Sequence, residues 1–249
     1  MVKRIPLNPL PESVVSSLYD EHTTLYRKGE PVSQVFPRRM NVIVTIGLVA
    51  LVLIVGGVAA LGYYVVRSPL VTGVGVAKAQ PVPFSHQQHV GGLGLDCRYC
   101  HTAVEVSNTA SIPPTETCMG CHAQVATESD LLALVRTSFE EDQPLEWIRV
   151  HSLPDFVYFN HAIHVRQGIG CESCHGRVDQ MPVVGKVESL SMAWCLDCHR
   201  APENHVRPRD AVFVMGWEPP ADQATLGPQL VAEYGIQVAG LADCSVCHR

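Results

Sequence analysis

One short pattern constrains this chain more than any other feature. Cys-x-x-Cys-His occurs five times, at Cys97–His101, Cys118–His122, Cys171–His175, Cys195–His199 and Cys244–His248, and these motifs take up all 10 cysteines. A disulfide framework suits an even cysteine count but gives no reason for a histidine after every second cysteine. A redox CxxC explains one pair, not five. Zinc sites take two such pairs per metal, and an odd number leaves one over. Covalent attachment of c-type haem accounts for the pairing, the spacing and the trailing histidine together. The expected cofactors are therefore five covalently bound haem c groups. The thiols of Cys97 and Cys100, Cys118 and Cys121, Cys171 and Cys174, Cys195 and Cys198, and Cys244 and Cys247 would bond the vinyl groups. His101, His122, His175, His199 and His248 would be the proximal iron ligands.

The region after residue 80 has long stretches with neither helical nor strand periodicity, which ordinarily counts against a compact domain. Porphyrins buried within the chain remove that objection, because the macrocycles themselves supply core. The expected fold is a single N-terminal transmembrane α-helix followed by a mainly irregular and α-helical multihaem domain with little β-structure. The formal net charge of -6 is mild and spread along the chain, which argues against nucleic acid, where a basic face is expected.

Residues 41–66, "NVIVTIGLVALVLIVGGVAALGYYVV", carry no charge. A transmembrane helix needs about 20 such residues. Arg38 and Arg39 precede the run, with Lys3, Arg4, Arg27 and Lys28 upstream, so the positive-inside rule puts the N-terminus in the cytoplasm. Tyr63 and Tyr64 suit the far interface. The haem domain then emerges on the outer side of the membrane, where haem joins exported apocytochromes. A cleaved signal peptide is the competing reading, and Ala77-Lys78-Ala79 resembles a cleavage site. The apolar run far exceeds an h-region of about 7–15 residues, and residues 1–40 precede it, which favours a retained anchor. The expected organisation is a cytoplasmic or interfacial arm over 1–40, the span over 41–66, a linker over 67–80 and the haem domain over 81–249. His22 falls in the arm, on the wrong side of the membrane for haem.

Low-spin irons need a second ligand each. "Phe84-Ser-His86-Gln-Gln-His89-Val" precedes Cys97, and "Phe159-Asn-His161-Ala-Ile-His164-Val" precedes Cys171. Each then runs through a glycine-rich turn and two CxxCH motifs, so residues 84–122 and 159–199 form an internal duplication, with the motif at 244–248 standing alone. Histidines three apart lie on nearly one side of a helical turn. Each iron offers one distal position, so the two must reach different irons. This gives His86, His89, His161 and His164 as distal ligands. For the fifth, His151 in "VHSLPDF" is the first choice and Met215 in "VFVMGW" the alternative, with His205 behind them. The choice matters because methionine ligation raises a haem's reduction potential. Two plainer readings complete the survey. "SDLLALVRTSF", residues 129–139, reads as an amphipathic helix with Leu131, Leu132, Leu134 and Val135 inward. "PENHVRPRD", residues 202–210, reads as a basic, solvated loop.

The ordered motifs "PFSHQQHVGGLGLDCRYCH", "IPPTETCMGCH", "VHSLPDFVYFNHAIHV", "GIGCESCHGRV" and "WCLDCHRAPE" closely resemble the pentahaem cytochrome subunit of alternative complex III, a bacterial quinol oxidoreductase. Each FxHxxH is also similar to the ligand motif of class III cytochromes c. What the resemblance implies is a subunit seated among an iron–sulfur/molybdoenzyme-like subunit, polytopic quinol-binding membrane subunits and a monohaem cytochrome c, in contact with membrane lipid. Electrons would pass from quinol through iron–sulfur clusters and these haems to a periplasmic acceptor or terminal oxidase.

The chain therefore reads as an electron carrier and not as an enzyme by itself, with no catalytic residues. Two alternatives are a membrane-anchored quinol dehydrogenase acting alone and a multihaem reductase of nitrite type. The first expects a haem motif close after the span, whereas Val66 and Cys97 are well separated. The second expects a five-coordinate haem, often with lysine in place of a motif histidine, and every motif here ends in histidine.

Overall fold

The computed structural model describes residues 37–248. The expectations on the arm, His22 included, lie outside the described residues except for its last few positions. The chain divides into two compact units, Met1–Gly62 and Tyr63–Arg249. We number the helices of six residues or more α1 to α6.

α1 runs Arg38–Arg67, slightly longer at both ends than the uncharged run. Its interior is Val, Ile, Leu, Ala and Gly without a polar face, and none of its residues is buried by other parts of the chain. At about 1.5 Å rise per residue it is about 45 Å long, enough for a hydrocarbon layer of about 30 Å. By length and composition it can cross a membrane. Near its C-terminal end the Arg67 guanidinium lies 3.9 Å from the Tyr63 ring centroid, an aromatic and cationic pairing typical of a membrane interface.

The second unit is irregular and helical. Among the described residues it holds no regular strand, only isolated bridges such as Val74 with Lys186 and Ile169 with Val206. The helices are α2 (Thr115–His122), α3 (Ala133–Glu140), α4 (His161–Arg166), α5 (Met192–Arg200) and α6 (Gln223–Glu233). Shorter helical turns form Cys97–Cys100, Glu172–His175 and Cys244–Cys247. Side-chain caps start several of these elements. Asp96 accepts from the Arg98 N–H, Asn160 from Ile163 and Ser191 from Trp194, each satisfying an orphan donor of a first turn. Residues 67–80 are bound down rather than free-running: Gly75 N–H donates to Lys186 O at 2.7 Å, and the Gln80 amide exchanges two 2.9 Å hydrogen bonds with the Ile148 backbone.

A small apolar cluster of Val206, Leu230 and Tyr234 sits where α6 packs on the turn Pro202–Asn204. Gly227 makes this approach close: a Cβ there would strike the Glu203 carbonyl. Gly227→Ala is accordingly expected to cost about 1–3 kcal/mol, the usual penalty of overpacking, read as a lowered thermal midpoint.

Two sequence readings change here. Residues 129–139 form a 3₁₀ turn, Asp130–Leu132, followed by α3, but only Val135 and Ser138 are buried in α3, while Leu131 and Leu134 are 66% and 45% exposed. Ser138 takes the inward place because its hydroxyl bonds Thr115 Oγ1 at 2.7 Å, tying α3 to α2. The segment 202–210 is no solvated loop: Val206 is 0% and Arg207 4% exposed.

Candidate haem-binding site

The two FxHxxH segments fold alike around each phenylalanine. Phe84 meets the His86 ring edge-on at 4.8 Å and 89°, and stacks on His89 at 4.4 Å and 29°. Phe159 does the same to His161, at 4.7 Å and 88°, and to His164, at 4.4 Å and 30°. The aromatic residue thus fixes both ring orientations at once, a role its place in the motif hinted at but did not define. The helical framing differs. The first segment opens a π-helical turn, Gln87–Gly92, the second the α-helix α4. In the first, Gly91 lies so close to Asp179 that a Cβ would strike its carbonyl.

Backbone carbonyls orient the imidazoles. Nδ1 of His89, His101, His122, His161, His164, His199 and His248 donates to the carbonyls of Ser85, Ser111, Val125, Asn108, Asn160, Leu241 and Phe156, at 2.7–3.2 Å. This fixes the proton on Nδ1 and leaves the Nε2 lone pair for a metal. Burial keeps several rings neutral. It lowers the His86 pKa to about 4, helped by the charges of His101 and His89. It lowers His175 to about 3, helped first by His151 and then by His161. His164 is lowered by burial against the opposing Asn160 hydrogen bond. A neutral imidazole is the ligating form.

The decisive geometry is between rings. A metal–imidazole bond is about 2.0 Å and the ring centroid lies about 1 Å further, so two imidazoles on opposite faces of one metal have centroids about 6 Å apart. His89 and His122 stand at 6.2 Å, His161 and His175 at 6.3 Å, and His164 and His199 at 6.2 Å. Each pair joins an FxHxxH histidine to a CxxCH histidine. His86 falls beside His101, whose charge is the largest charge effect on it, and its Nδ1 is buried without a partner among the described residues. The donor set and its spacing fit haem c.

The fifth motif is placed differently. His248 lies against Phe156, with ring centroids 5.7 Å apart, and its backbone bridges Val157. Both candidates for its second ligand stand by the third motif. The His151 ring is 4.4 Å from His175, and its Nε2 is buried without a partner among the described residues. Met215 belongs to a segment tied to the third motif, where Gly216 N–H donates to Glu172 Oε2 at 2.6 Å and Cys171 N–H to Val212 O at 3.2 Å.

That tie rests on a group the sequence did not disclose. Arg207 Nη1 donates to Glu172 Oε1 at 2.9 Å, Nη2 to Ser173 Oγ at 3.3 Å, and the guanidinium lies 4.5 Å from the Trp217 ring centroid. Glu172 and Ser173 are the two variable residues of the third CxxCH. No local pattern marks Arg207, since its partners are far away in sequence.

Motifs and imidazole geometry together are those expected of a multihaem c-type cytochrome. Residues 157–249 match the family described as cytochrome c7 and related cytochrome c. The chain is also 33% identical over 99 residues to the multihaem cytochrome c subunit of menaquinone reductase from Nitratidesulfovibrio vulgaris, a match covering 39% of this chain and 46% of that protein. The match thus spans less than half the length of this curated relative.

Proposed function

We propose that this chain holds five haems c and relays electrons within a membrane quinol oxidoreductase complex, of the alternative complex III type. The observation that carries the reading is the set of three imidazole pairs at 6.2–6.3 Å, each joining one duplicated turn to one attachment motif. The bonding thiols are the five cysteine pairs named above, and His101, His122, His175, His199 and His248 are the proximal ligands. His86, His89, His161 and His164 face the first four of these in order. For His248 the second ligand is assigned to His151, with Met215 the alternative. His151 has the buried, unpartnered Nε2 that a ligand needs, although its ring stands beside His175.

Bound haem c supplies a one-electron iron couple whose potential is set by axial ligands, burial and hydrogen bonding. The chain's part is to grip each iron from both faces, so that electrons pass and substrates do not bind. Nδ1 hydrogen bonds hold the rings in register, and Phe84 and Phe159 keep neighbouring imidazoles aimed at different irons. Partner subunits are proposed by resemblance: an iron–sulfur/molybdoenzyme-like subunit, polytopic quinol-binding subunits and a monohaem cytochrome c. The relative from a menaquinone reductase supports a quinone-linked setting. α1 is proposed as the anchor, N-terminus in the cytoplasm and haem domain in the periplasm. The test is purification in mild detergent, with mass spectrometry of the chain and of whatever co-purifies. Five thioether-linked haems and a quinol-oxidising assembly are the expected result; fewer haems, or a chain isolated alone from intact membranes, would refute the assignment.

One observation favours a second reading, a quinol dehydrogenase acting alone. A cavity of about 540 Å³ lies just past α1, lined by Pro69–Gly73, Val76, Lys78, Val150, Ser152 and Lys186. No cysteine lines it, Val150 and Ser152 on its wall flank His151, and its apolar walls and lysines suit a quinol. Quinol oxidation by the purified chain without partners would establish this reading.

A further inference from the structure

We propose that the chain holds its attachment motifs in the spatial order second, first, third, fourth, fifth, so that the second and fifth are the two ends at which one-electron partner proteins meet it. The proposal rests on the reading of five haems. It is not the order along the sequence, which would put the first motif at an end.

Each link has its own contacts. The second motif meets the first where the Tyr99 hydroxyl lies 3.8 Å from the place a Cβ on Gly120 would take. First and third are joined by backbone and side-chain contacts. Around them α4 is laced to the loop that follows His101. The N–H groups of His161 and Ala162 donate to Asn108 and Ser107 carbonyls at 3.2 and 3.0 Å, and Arg166 Nε donates to Glu105 O at 3.1 Å. Third and fourth are spanned by a single helical turn: His161 faces His175 and, three residues on, His164 faces His199. Fourth and fifth meet where His199 Nδ1 donates to Leu241 O at 2.8 Å, in the segment leading into Cys244. The fifth motif also touches Phe156–Tyr158, through Tyr158 N–H to Cys247 O at 2.8 Å, which keeps it on the side of the third and fourth motifs.

Exposure agrees with this order and is independent of it. Cys121 and Cys244 are the exposed cysteines, and both belong to the proposed end motifs; the other cysteines are partly covered. All four of His101, His122, His199 and His248 are partly covered, so the cysteines carry the distinction. A protein partner can approach closely only where the motif itself reaches the surface.

Neighbouring one-electron centres repel through the low-dielectric interior, so changing the charge state of one shifts the midpoint of those beside it. The experiment takes the full chain in detergent, first confirmed by mass spectrometry to carry five haems. That count tests the underlying reading separately from the order. His122→Met, His248→Met, His101→Met, His175→Met and His199→Met are then titrated, with each haem followed by its own methyl resonances in NMR. The expected result is that an end substitution moves its own haem and one other, while each interior substitution moves its own and two others. An end substitution moving two others, an interior one moving a single neighbour, or no transmitted shift at all would overturn the order. Should a variant lose its haem, the mass shows it, and removal of that charge must move the same neighbours.

Discussion

Replacing His164 with alanine is expected to create one carbon monoxide-binding iron per protein, where the unsubstituted chain has none. His164 is seated by three independent contacts: its Nδ1 donates to Asn160 O at 2.8 Å, Phe159 stacks on it at 4.4 Å, and its ring stands 6.2 Å from His199. On the proposed ligation its removal would open one face of the iron held by His199, and the His161 ring on the same turn stands by His175 at 6.3 Å instead. The reduced variant should therefore bind one equivalent of carbon monoxide, read in the visible spectrum, and gain a high-spin signal in EPR. His164→Met should instead keep the iron closed and raise that haem's midpoint, since methionine ligation favours the reduced state. A variant that stays fully low-spin and ignores carbon monoxide would remove His164 from the ligand set.

The second large effect concerns stability rather than ligation. Arg207→Met leaves Glu172 charged and nearly enclosed, with side chains of the pair 5% and 11% exposed. Breaking one side of a buried pair costs about 3–5 kcal/mol. At about 2–4 °C per kcal/mol for a chain of this size, the thermal midpoint should fall by about 6–20 °C. Glu172 keeps the N–H groups of Gly216 and Trp217 at 2.6 and 3.1 Å, which places the loss within that range rather than beyond it. Replacing both partners, Arg207→Met with Glu172→Leu, should recover part of the midpoint, because no unpaired charge then remains. Equal melting of Arg207→Met and the unsubstituted chain would show the pair to be idle.

These two sites differ in how well the sequence discloses them. The CxxCH motifs and both FxHxxH turns are legible because their chemistry is local: thiol spacing and a one-turn histidine pair need no knowledge of the fold. The long apolar helix is legible for the same reason. Arg207 is not. Its immediate neighbours, "HVRPRD", suggest a solvated basic loop, and only the return of residues 206–217 over the third motif buries it. Leu131 and Leu134 mislead in the other direction: their spacing promises an inward face, yet Ser138 holds α3 to α2 by a hydroxyl bond and turns them outward. His151 shows a further limit. Its place in the sequence marks it as spare, but which motif it stands beside depends on contacts with residues far along the chain.

The matched geometry around Phe84 and Phe159 has a consequence for how each histidine pair is aimed. Ring distances and angles agree to within 0.1 Å and 1° between the two copies, although one turn is π-helical and the other α-helical. The phenylalanine, and not the type of helical turn, therefore sets how the two imidazoles of each copy are held relative to one another.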